Sequence, residues 1–587
     1  MFPPDYRGQL WSRLSRPWDL VVVGGGITGA GILREATRLG LQALLVEQRD
    51  FAWGTSSRSS KLVHGGLRYL KEGRLGLTLA SVQERERLLE EGPGLIDPLG
   101  FLLATYEGDR PGRHAYRAGL SVYDLLALQW THRYHGAADF QMLAPHILRE
   151  GLQGGFAYGD AQTDDARLVL RVIGEAVRAG GAALNYARAE SLLRNGPQAQ
   201  VTGVVLRDLS DSTGGRTADL RARVVVNATG AWANRLQETA GASLAIRPLR
   251  GSHLMFPSDR LPAAQAHGFL HPFDGRPVFV VPWEGATLVG TTDVDHREPL
   301  DGEPRISPDE VTYLMAAVDA LYPSRGLTLD DVISTFAGVR PVISSGQADP
   351  SKESRDHVIR DDAGLITVTG GKLTTFRRVA LDVLRAVRTR LPDVREPDAR
   401  TSVLDPVDVA LPGAEELDVT LQRRLLGRYG AAAPSLVSLA RPGELAPVPG
   451  STTLWAELRW AARAEAVVHL DDLLLRRTRL GLLLPEGGAA LLPTVRAICQ
   501  EELGWGEARW IAEEEAYKAT WRTCYSLPLR SAIADWREQV ARAVEHRADL
   551  RQRRRRQWRR ATALGLVAGG ATAGAVALWA RERRRRA

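Results

Sequence analysis

Cysteine is nearly absent from this 587-residue chain: Cys499 and Cys524 are the whole complement, and neither stands in a CxxC or beside a histidine cluster. That excludes a disulfide framework and removes the usual basis for structural zinc. The 12 histidines are scattered without an HExxH array, so no metal is expected. No GxSxG elbow supports nucleophilic hydrolysis. Residues 1–17 hold charges and prolines without an apolar core, so no secretory leader is expected. Internal repeats and extended low-complexity runs are also missing.

The net charge of +7 is not spread over the chain. The arginine-rich runs Arg553–Arg560 and Arg581–Arg586 carry more than the whole excess. The body is therefore near neutral, and a nucleic-acid partner loses its electrostatic basis. With 44% hydrophobic and 25% charged residues, the composition is that of a globular protein, and the length suggests two to four domains. Between the arginine runs lies 561–580, uncharged and rich in Ala and Gly. Its length matches a hydrocarbon core of about 30 Å. Gly565/Gly569 and Gly570/Gly574 stand four apart, a spacing that permits close helix pairing. Tail anchorage is the preferred expectation, with spanning and interfacial placements both open.

The strongest positive signal is Gly24-x-Gly26-x-x-Gly29 between an apolar run, Leu20 to Val23, and a helical run, Ile27 to Leu39. A second apolar run, Leu41 to Val46, ends in Glu47. This is a βαβ unit for a dinucleotide. The glycines permit a tight turn and close backbone approach to a pyrophosphate, the helix N-terminus favours negative charge, and Glu47 can accept from a ribose. Ser59-Ser60-Lys61-Leu62-Val63-His64-Gly65-Gly66-Leu67-Arg68-Tyr69 follows at once and supplies polar groups that could face a reactive ring.

Downstream, Leu75 to Leu89 is expected as helix and Gly108 to Gly136 as irregular. Ala166 to Tyr186 should hold strand and helix. Val201 to Val226 should form a hairpin-like region, interrupted by a turn at Asp211 to Gly215. Val224 to Gly230 and Gly364 to Phe376 each read as a strand ending in a glycine turn, the latter leading into a helix. Val278 to Pro282 and Thr287 to Thr292 form a second expected hairpin. Proline and charge from Pro392 to Pro412 mark a linker, and Leu454 to Leu475 and Thr494 to Tyr517 have helical spacing. The pattern is mixed α/β with a helical C-terminal part.

Several motifs, in order, resemble those of the flavin-dependent, respiratory glycerol-3-phosphate dehydrogenase family of the D-amino-acid-oxidase-like flavoproteins. They are Ser60 to Tyr69, Asp164-Asp165-Ala166-Arg167-Leu168, Gly251-Ser252-His253, Pro282-Trp283-Glu284-Gly285 with Gly290-Thr291-Thr292-Asp293, Gly338-Val339-Arg340-Pro341, Ser354-Arg355-Asp356-His357 and Gly370-Gly371-Lys372-Leu373-Thr374-Thr375. Asp471-Asp472 through Leu480 and Leu503-Gly504-Trp505 extend the resemblance into the helical part.

The resemblance implies a Rossmann-like FAD-binding domain of the two-dinucleotide type over 18–395. An antiparallel-sheet substrate domain is interleaved at about 91–155 and 240–335. A helical domain follows over 400–545. The terminal apolar helix in an arginine-flanked tail, 546–587, departs from the family's usual pattern, in which attachment relies mainly on the globular body, and reads as an added anchor. Gly24, Gly26, Gly29, Glu47, Ser59, Ser60, Lys61, His64, Gly65, Gly66, Gly230, Gly370, Gly371, Lys372, Leu373 and Thr374 are expected around FAD.

Oxidising a secondary alcohol needs a hydride acceptor, a base and a clamp for the substrate. The resemblance points to sn-glycerol 3-phosphate going to dihydroxyacetone phosphate, with a quinone as final acceptor. Arg68, Tyr69, Arg340, Arg355 and Lys372 are the expected substrate contacts, Arg340 and Arg355 foremost for phosphate. His253, expected on a tight, accessible turn after Gly251-Ser252, is the preferred base, with His64 the second choice or else an orienter of the flavin, an arginine-assisted water a further alternative, and Arg340 completing the catalytic set. The placement implied is the cytoplasmic face of the cell membrane, on lipid, with homodimerisation open. Other readings are a glycerophosphate oxidase using oxygen, an amine or amino-acid oxidase, and a non-enzymatic flavin sensor. No large insertion of the oxidase kind stands out, which weakens the first.

Overall fold

The apolar runs at Leu20, Ala43 and Val224 are too continuous for strands with one wet face, and each becomes a strand buried on both faces. In the computed structural model, residues 2–545 are described except 4, 72, 110–111, 197–199, 211–214, 345, 347–352, 354–355 and 544. Strands Leu365–Gly370, Thr217–Asn227, Trp18–Val23, Ala43–Val46 and Ala182–Leu184 lie parallel in that order. His357–Asp362 closes one edge antiparallel. Val22 stands opposite Val226 on one side and Leu45 on the other, all without exposure. Side chains of this kind each contribute about 1.5–3 kcal/mol.

Helices Ile27–Arg38, Asp165–Arg178 and Phe376–Arg388 cover one face through Ile32, Leu168, Val172, Val379 and Val383. The other face packs on Trp11 and Leu14 near the N-terminus and on Leu206 and Leu220. Those leucines belong to the expected hairpin: Val201–Asp208 pairs antiparallel with Thr217–Asn227, which then continues into the parallel sheet.

The second sheet is mostly antiparallel. Ile96–Tyr106 pairs along its length with Leu152–Thr163, and Ile246–Pro257 with Ser334–Ile343. Pro277–Trp283 and Ala286–Gly290 form the other expected hairpin. Helix Pro308–Leu321 packs over this sheet through Val311, Leu314 and Val318. Its start is fixed by a capping box between Ser307 and Glu310.

Gly108 to Gly136 is not irregular as expected. It contains helix Arg113–Ala127 and strand Arg133–Gly136. The helix buries only Leu120, Tyr123 and Asp124, so its apolar stripe is short and its many polar positions hide the period. The C-terminal part forms helices Val419–Tyr429, Trp455–Ala464, Leu492–Leu503 and Glu507–Cys524. Leu474, Trp510 and Tyr517 share one core with Trp283, Leu288 and Phe336 of the second sheet.

Among the described residues no helix is long and apolar enough to cross a membrane. The longest, Glu507–Cys524, carries charge along its length, including Arg509, Glu514 and Lys518. The expected tail-anchored placement at the cytoplasmic face of the cell membrane is corrected accordingly. The run 561–580 on which it was based lies outside the described residues.

Arg476 and Arg477 join the helical part to the dinucleotide unit. Arg476 Nε donates to Asp50 Oδ2 at 2.5 Å, and Arg477 donates to the two Asp50 oxygens at 2.6 and 2.7 Å. Burial pushes the Asp50 carboxyl upward, but Arg477 and Arg476 outweigh it and hold the pKa below its ordinary value. Its contribution is therefore present above the unfolded value of about 3.9 and is lost as pH falls through the lower folded value. Asp50→Asn should cost about 3–5 kcal/mol at pH 7 in denaturant unfolding. It should also flatten the stability loss on acidification below about pH 4. Unchanged unfolding midpoints at both pH values would remove this role.

Candidate functional site

The parallel strands end at one line of backbone turns. Gly24, at the end of the first, has φ +116°, where a side chain is strained, and a Cβ there would stand 2.5 Å from the Ala228 carbonyl oxygen. A Cβ on Gly29 would lie 1.9 Å from the Gly24 oxygen, so helix and turn meet in direct contact. Helix Ile27–Arg38 has no acidic residue in its first turn, which leaves its positive end facing the cavity. Ile27 N–H already donates to Ser56 Oγ at 2.9 Å. Glu47, at the end of the next strand, accepts from Gly25 N–H at 2.7 Å and Arg49 N–H at 2.9 Å. Burial raises its pKa, against those two bonds.

These turns border a cavity of about 1720 Å³, larger than the ~300–1,000 Å³ of ordinary ligand pockets. The glycine cradle, the open helix end and the length of the space fit a dinucleotide of the FAD type. Of the residues expected around it, Gly24, Gly26, Glu47, Ser59, Ser60, His64, Gly66, Gly230, Gly370, Gly371, Lys372, Leu373 and Thr374 border the cavity. So do Tyr69 and Arg340.

Others lie behind the wall. Gly29 supports the turn. Gly65 donates its N–H to Asp160 Oδ1 at 3.2 Å, and a Cβ on it would meet the Tyr123 hydroxyl at 2.3 Å. Lys61 is fully buried, its ammonium 2.9 Å from Asp165 Oδ1 and 2.7 Å from the Ser57 carbonyl oxygen. These three shape the site from outside the cavity rather than lining it. Arg68 lies in helix Leu67–Lys71, but its side chain falls outside the described set, and Arg355 lies outside the described residues.

The expected exposure of His253 on an accessible turn is corrected. Its imidazole is buried in strand Ile246–Pro257, does not border the cavity and stacks on Phe336 at 4.6 Å. Its Nε2 lies 2.9 Å from the Oγ of Ser60, a residue that does border the cavity. Burial, then Arg340 and Lys61, hold the ring pKa well below its ordinary value. His64 borders the cavity and is pushed down to about 4 by burial, then by Lys372 and Arg85. Both imidazoles are neutral at pH 7.

Fixed positive charge is supplied from two sides. Arg340 Nη1 lies 3.2 Å from Asp293 Oδ1, and Nη2 donates to Thr291 Oγ1 at 3.0 Å. Gly251 makes room for it, since a Cβ there would come 2.2 Å from Arg340 Nη2. The Lys372 ammonium sits 3.3 Å from the centre of the Tyr69 ring.

Asp160, Arg276 and Asp293 also border the cavity and had no sequence-derived role. Asp160 accepts from Arg85 at 3.1 Å and from the Tyr123 hydroxyl at 3.0 Å, and burial pushes it up to about 6. A lone acid within the buried, small-residue stretch Gly154 to Thr163 was its available signal. Asp293 was visible as the end of the Gly290 to Asp293 motif.

Comparison with known proteins gives a consistent assignment. Residues 19–377 match the family described as FAD dependent oxidoreductase, and 385–510 match the C-terminal domain of alpha-glycerophosphate oxidase. The chain is 34% identical over 488 residues to aerobic glycerol-3-phosphate dehydrogenase of Staphylococcus aureus strain MRSA252, covering 78% of this chain and 86% of that relative. The same figures apply to its counterpart in strain USA300. The crystal structure of glycerol-3-phosphate dehydrogenase from Bacillus halodurans complexed with FAD matches with a TM-score of 0.71 and 29% identity. The match covers 89% of this chain and 98% of that one. FAD-bound L-alpha-glycerophosphate oxidase from Mycoplasma pneumoniae shares the fold, with a TM-score of 0.52 and 16% identity over 67% of this chain and 100% of that one.

Gly29→Ala forces a methyl group against the Gly24 carbonyl. The purified variant should lose most of its flavin absorbance, with affinity for added FAD reduced at least ~10-fold, about 1.4 kcal/mol. Wild-type flavin content would show that the turn does not depend on this contact.

Proposed function

The chain belongs to the FAD-dependent glycerol-3-phosphate dehydrogenase family of FAD-dependent oxidoreductases, and we propose that it oxidises sn-glycerol 3-phosphate to dihydroxyacetone phosphate. The observation that carries this reading is Arg340, a guanidinium held by Asp293 and Thr291 at the cavity wall. FAD, when bound, supplies the acceptor for the hydride leaving the substrate carbinol. Arg340 and Lys372 offer the cations that a phosphate dianion requires, and arginine's planar fork suits its oxygens. Arg68 and Arg355 are further candidates on their motifs alone.

The hydroxyl proton must leave as the carbon–hydrogen bond breaks. Ser60 borders the cavity and its Oγ touches His253 Nε2, which offers a route by which a neutral imidazole can take that proton through one hydroxyl. His64 is the alternative acceptor directly on the wall. Because both rings are held neutral, their protonation should impose no fall in rate between about pH 6 and 7, the range of a free imidazole. Electrons then pass to a quinone, a choice favoured by the dehydrogenase names of the relatives at 34% identity. Oxygen is the competing acceptor.

Anaerobic mixing with glycerol 3-phosphate should bleach the flavin absorbance, and a soluble quinone should restore it faster than air. An oxidised flavin after glycerol 3-phosphate, with bleaching by an amino acid, would overturn the substrate. Stoichiometric peroxide at a rate matching turnover would overturn the quinone. Arg340→Ala should raise the substrate concentration for half-maximal bleaching roughly 10- to 100-fold, the loss of one charge-assisted contact. His253→Ala should slow bleaching by about 100-fold or more with little change in that concentration. Near-wild-type behaviour of both variants would remove these roles.

A further inference from the structure

The motifs Asp164-Asp165-Ala166-Arg167-Leu168 and Asp471 to Leu480 lie far apart in sequence, yet they close on each other. Arg479, from the helical part, donates from Nη2 to Asp165 Oδ1 and also to the Ser57 carbonyl oxygen at 2.9 Å. Its Nε lies 3.2 Å from Asp164 Oδ1. Lys61 reaches the same two acceptors, Asp165 and Ser57. Asp165 Oδ2 in turn accepts from Ser59 N–H at 2.9 Å and from Ser59 Oγ at 2.7 Å. The Ser59 hydroxyl oxygen then accepts from Lys61 N–H at 3.1 Å.

Backbone conformation makes the same point. Lys61 has φ +61° and Arg479 φ +63°, a region that costs a side-chain-bearing residue roughly 1 kcal/mol or more. Two such residues from distant parts of the chain therefore meet on one carboxylate. Such conformations persist where surrounding contacts over-determine them. Lys61 is also stacked over Phe336 at 4.8 Å, the ring on which His253 lies. The loop from Ser57 to Lys61 is thus held from behind by a cation of the helical part, while its residues Ser59 and Ser60 border the cavity.

We infer that Arg479 is a positioning residue for the reaction: acting through Asp165, it fixes the Ser59–Ser60 segment so that the Ser60 hydroxyl stays between His253 and the substrate. The C-terminal helices then serve catalysis without touching substrate or cofactor. This rests on the dehydrogenase reading only for its kinetic arm. A shift of about 1 Å in such a group is enough to cost roughly 100-fold in rate, whereas substrate affinity depends on Arg340 and Lys372 elsewhere on the wall.

The test uses the FAD-loaded full chain carrying Arg479→Lys, Ser59→Ala, or both. Arg479→Lys keeps the charge but is shorter and gives up the contacts of Nε to Asp164 and of Nη1 to the Leu475 carbonyl oxygen that orient the guanidinium on Asp165 and Ser57. Ser59→Ala removes the hydroxyl's contacts with Asp165 and Lys61 N–H from the same linkage, leaving the Ser59 N–H on Asp165, and strands no charge. Each single variant should retain flavin, hold the half-saturating glycerol 3-phosphate within about 3-fold of wild type, and reduce its flavin roughly 10- to 100-fold more slowly. The double variant should lose little more than the slower single one. Multiplied losses, or wild-type rates in either single variant, overturn the inference.

A second arm needs no activity. Amide hydrogen exchange in residues 57–63 should accelerate in Arg479→Lys while that in 18–23 stays unchanged. Equal exchange in 57–63, or acceleration in both segments, overturns it. If Arg479→Lys fails to load FAD, the rate of Ser59→Ala decides. If wild-type flavin is not bleached by glycerol 3-phosphate, the substrate reading falls and the exchange arm alone decides.

Discussion

Three aspartates shut away from water, Asp50, Asp164 and Asp165, set the terms for everything else. Desolvation of an unpaired carboxylate would cost several kcal/mol, so each must meet cations with nearly fixed geometry. Asp50 takes Arg476 and Arg477, Asp164 takes Arg428 and Arg479, and Asp165 takes Lys61 and Arg479. All of these partners except Lys61 come from the helical part. Such pairs add little net stability over apolar packing, while removing one member is expensive. What they impose is registration between helices, parallel sheet and the Ser57–Lys61 loop.

The site's glycines follow from a second constraint, crowding between strands. Gly251 leaves room for the Arg340 guanidinium. Gly290 leaves room for the His253 ring, where a Cβ would stand 2.1 Å from Cδ2. Gly338 does the same for the Arg58 backbone, whose carbonyl oxygen would lie 2.7 Å from its Cβ. Gly251 faces Gly338 and His253 faces Gly290 across adjacent strand pairs. The three motifs Gly251-Ser252-His253, Gly290 to Asp293 and Gly338 to Pro341 are therefore parts of one packing solution, in which a missing side chain admits the Arg340 or His253 side chain from the neighbouring strand or, at Gly338, the Arg58 backbone.

The dinucleotide unit was legible in the sequence because its requirements are local. Gly24 and Gly29 answer to backbone approach within a few residues, and the runs ending at Val23, Val46 and Asn227 to two-sided burial. The line of Ser59, Ser60, His64, Gly370 and Lys372 on one cavity was legible through motif resemblance. Burial depth was not. Nothing in Gly251-Ser252-His253 tells whether the ring faces the cavity or the core, since that depends on Phe336 and Ser60 arriving from other segments. Helix Arg113–Ala127 was missed because only one narrow stripe is buried. The Arg479–Asp165 pair, 314 residues apart, has no local signature at all.

The charge around the cavity has a consequence for the proposed reaction. Arg340 and Lys61 help keep His253 neutral, and Lys372 helps keep His64 neutral. That placement would suit an anionic substrate and, with burial as the larger cause, holds the nearby imidazoles neutral. Its cost is that a newly formed imidazolium would feel the same cations. A proton taken through Ser60 by His253 would be favoured by a substrate phosphate that offsets Arg340, which would tie proton uptake to occupancy of the site. In the empty enzyme the ring stays neutral. A dianion bound beside Arg340 would weaken the cationic part of that effect, while burial, its larger cause, would remain.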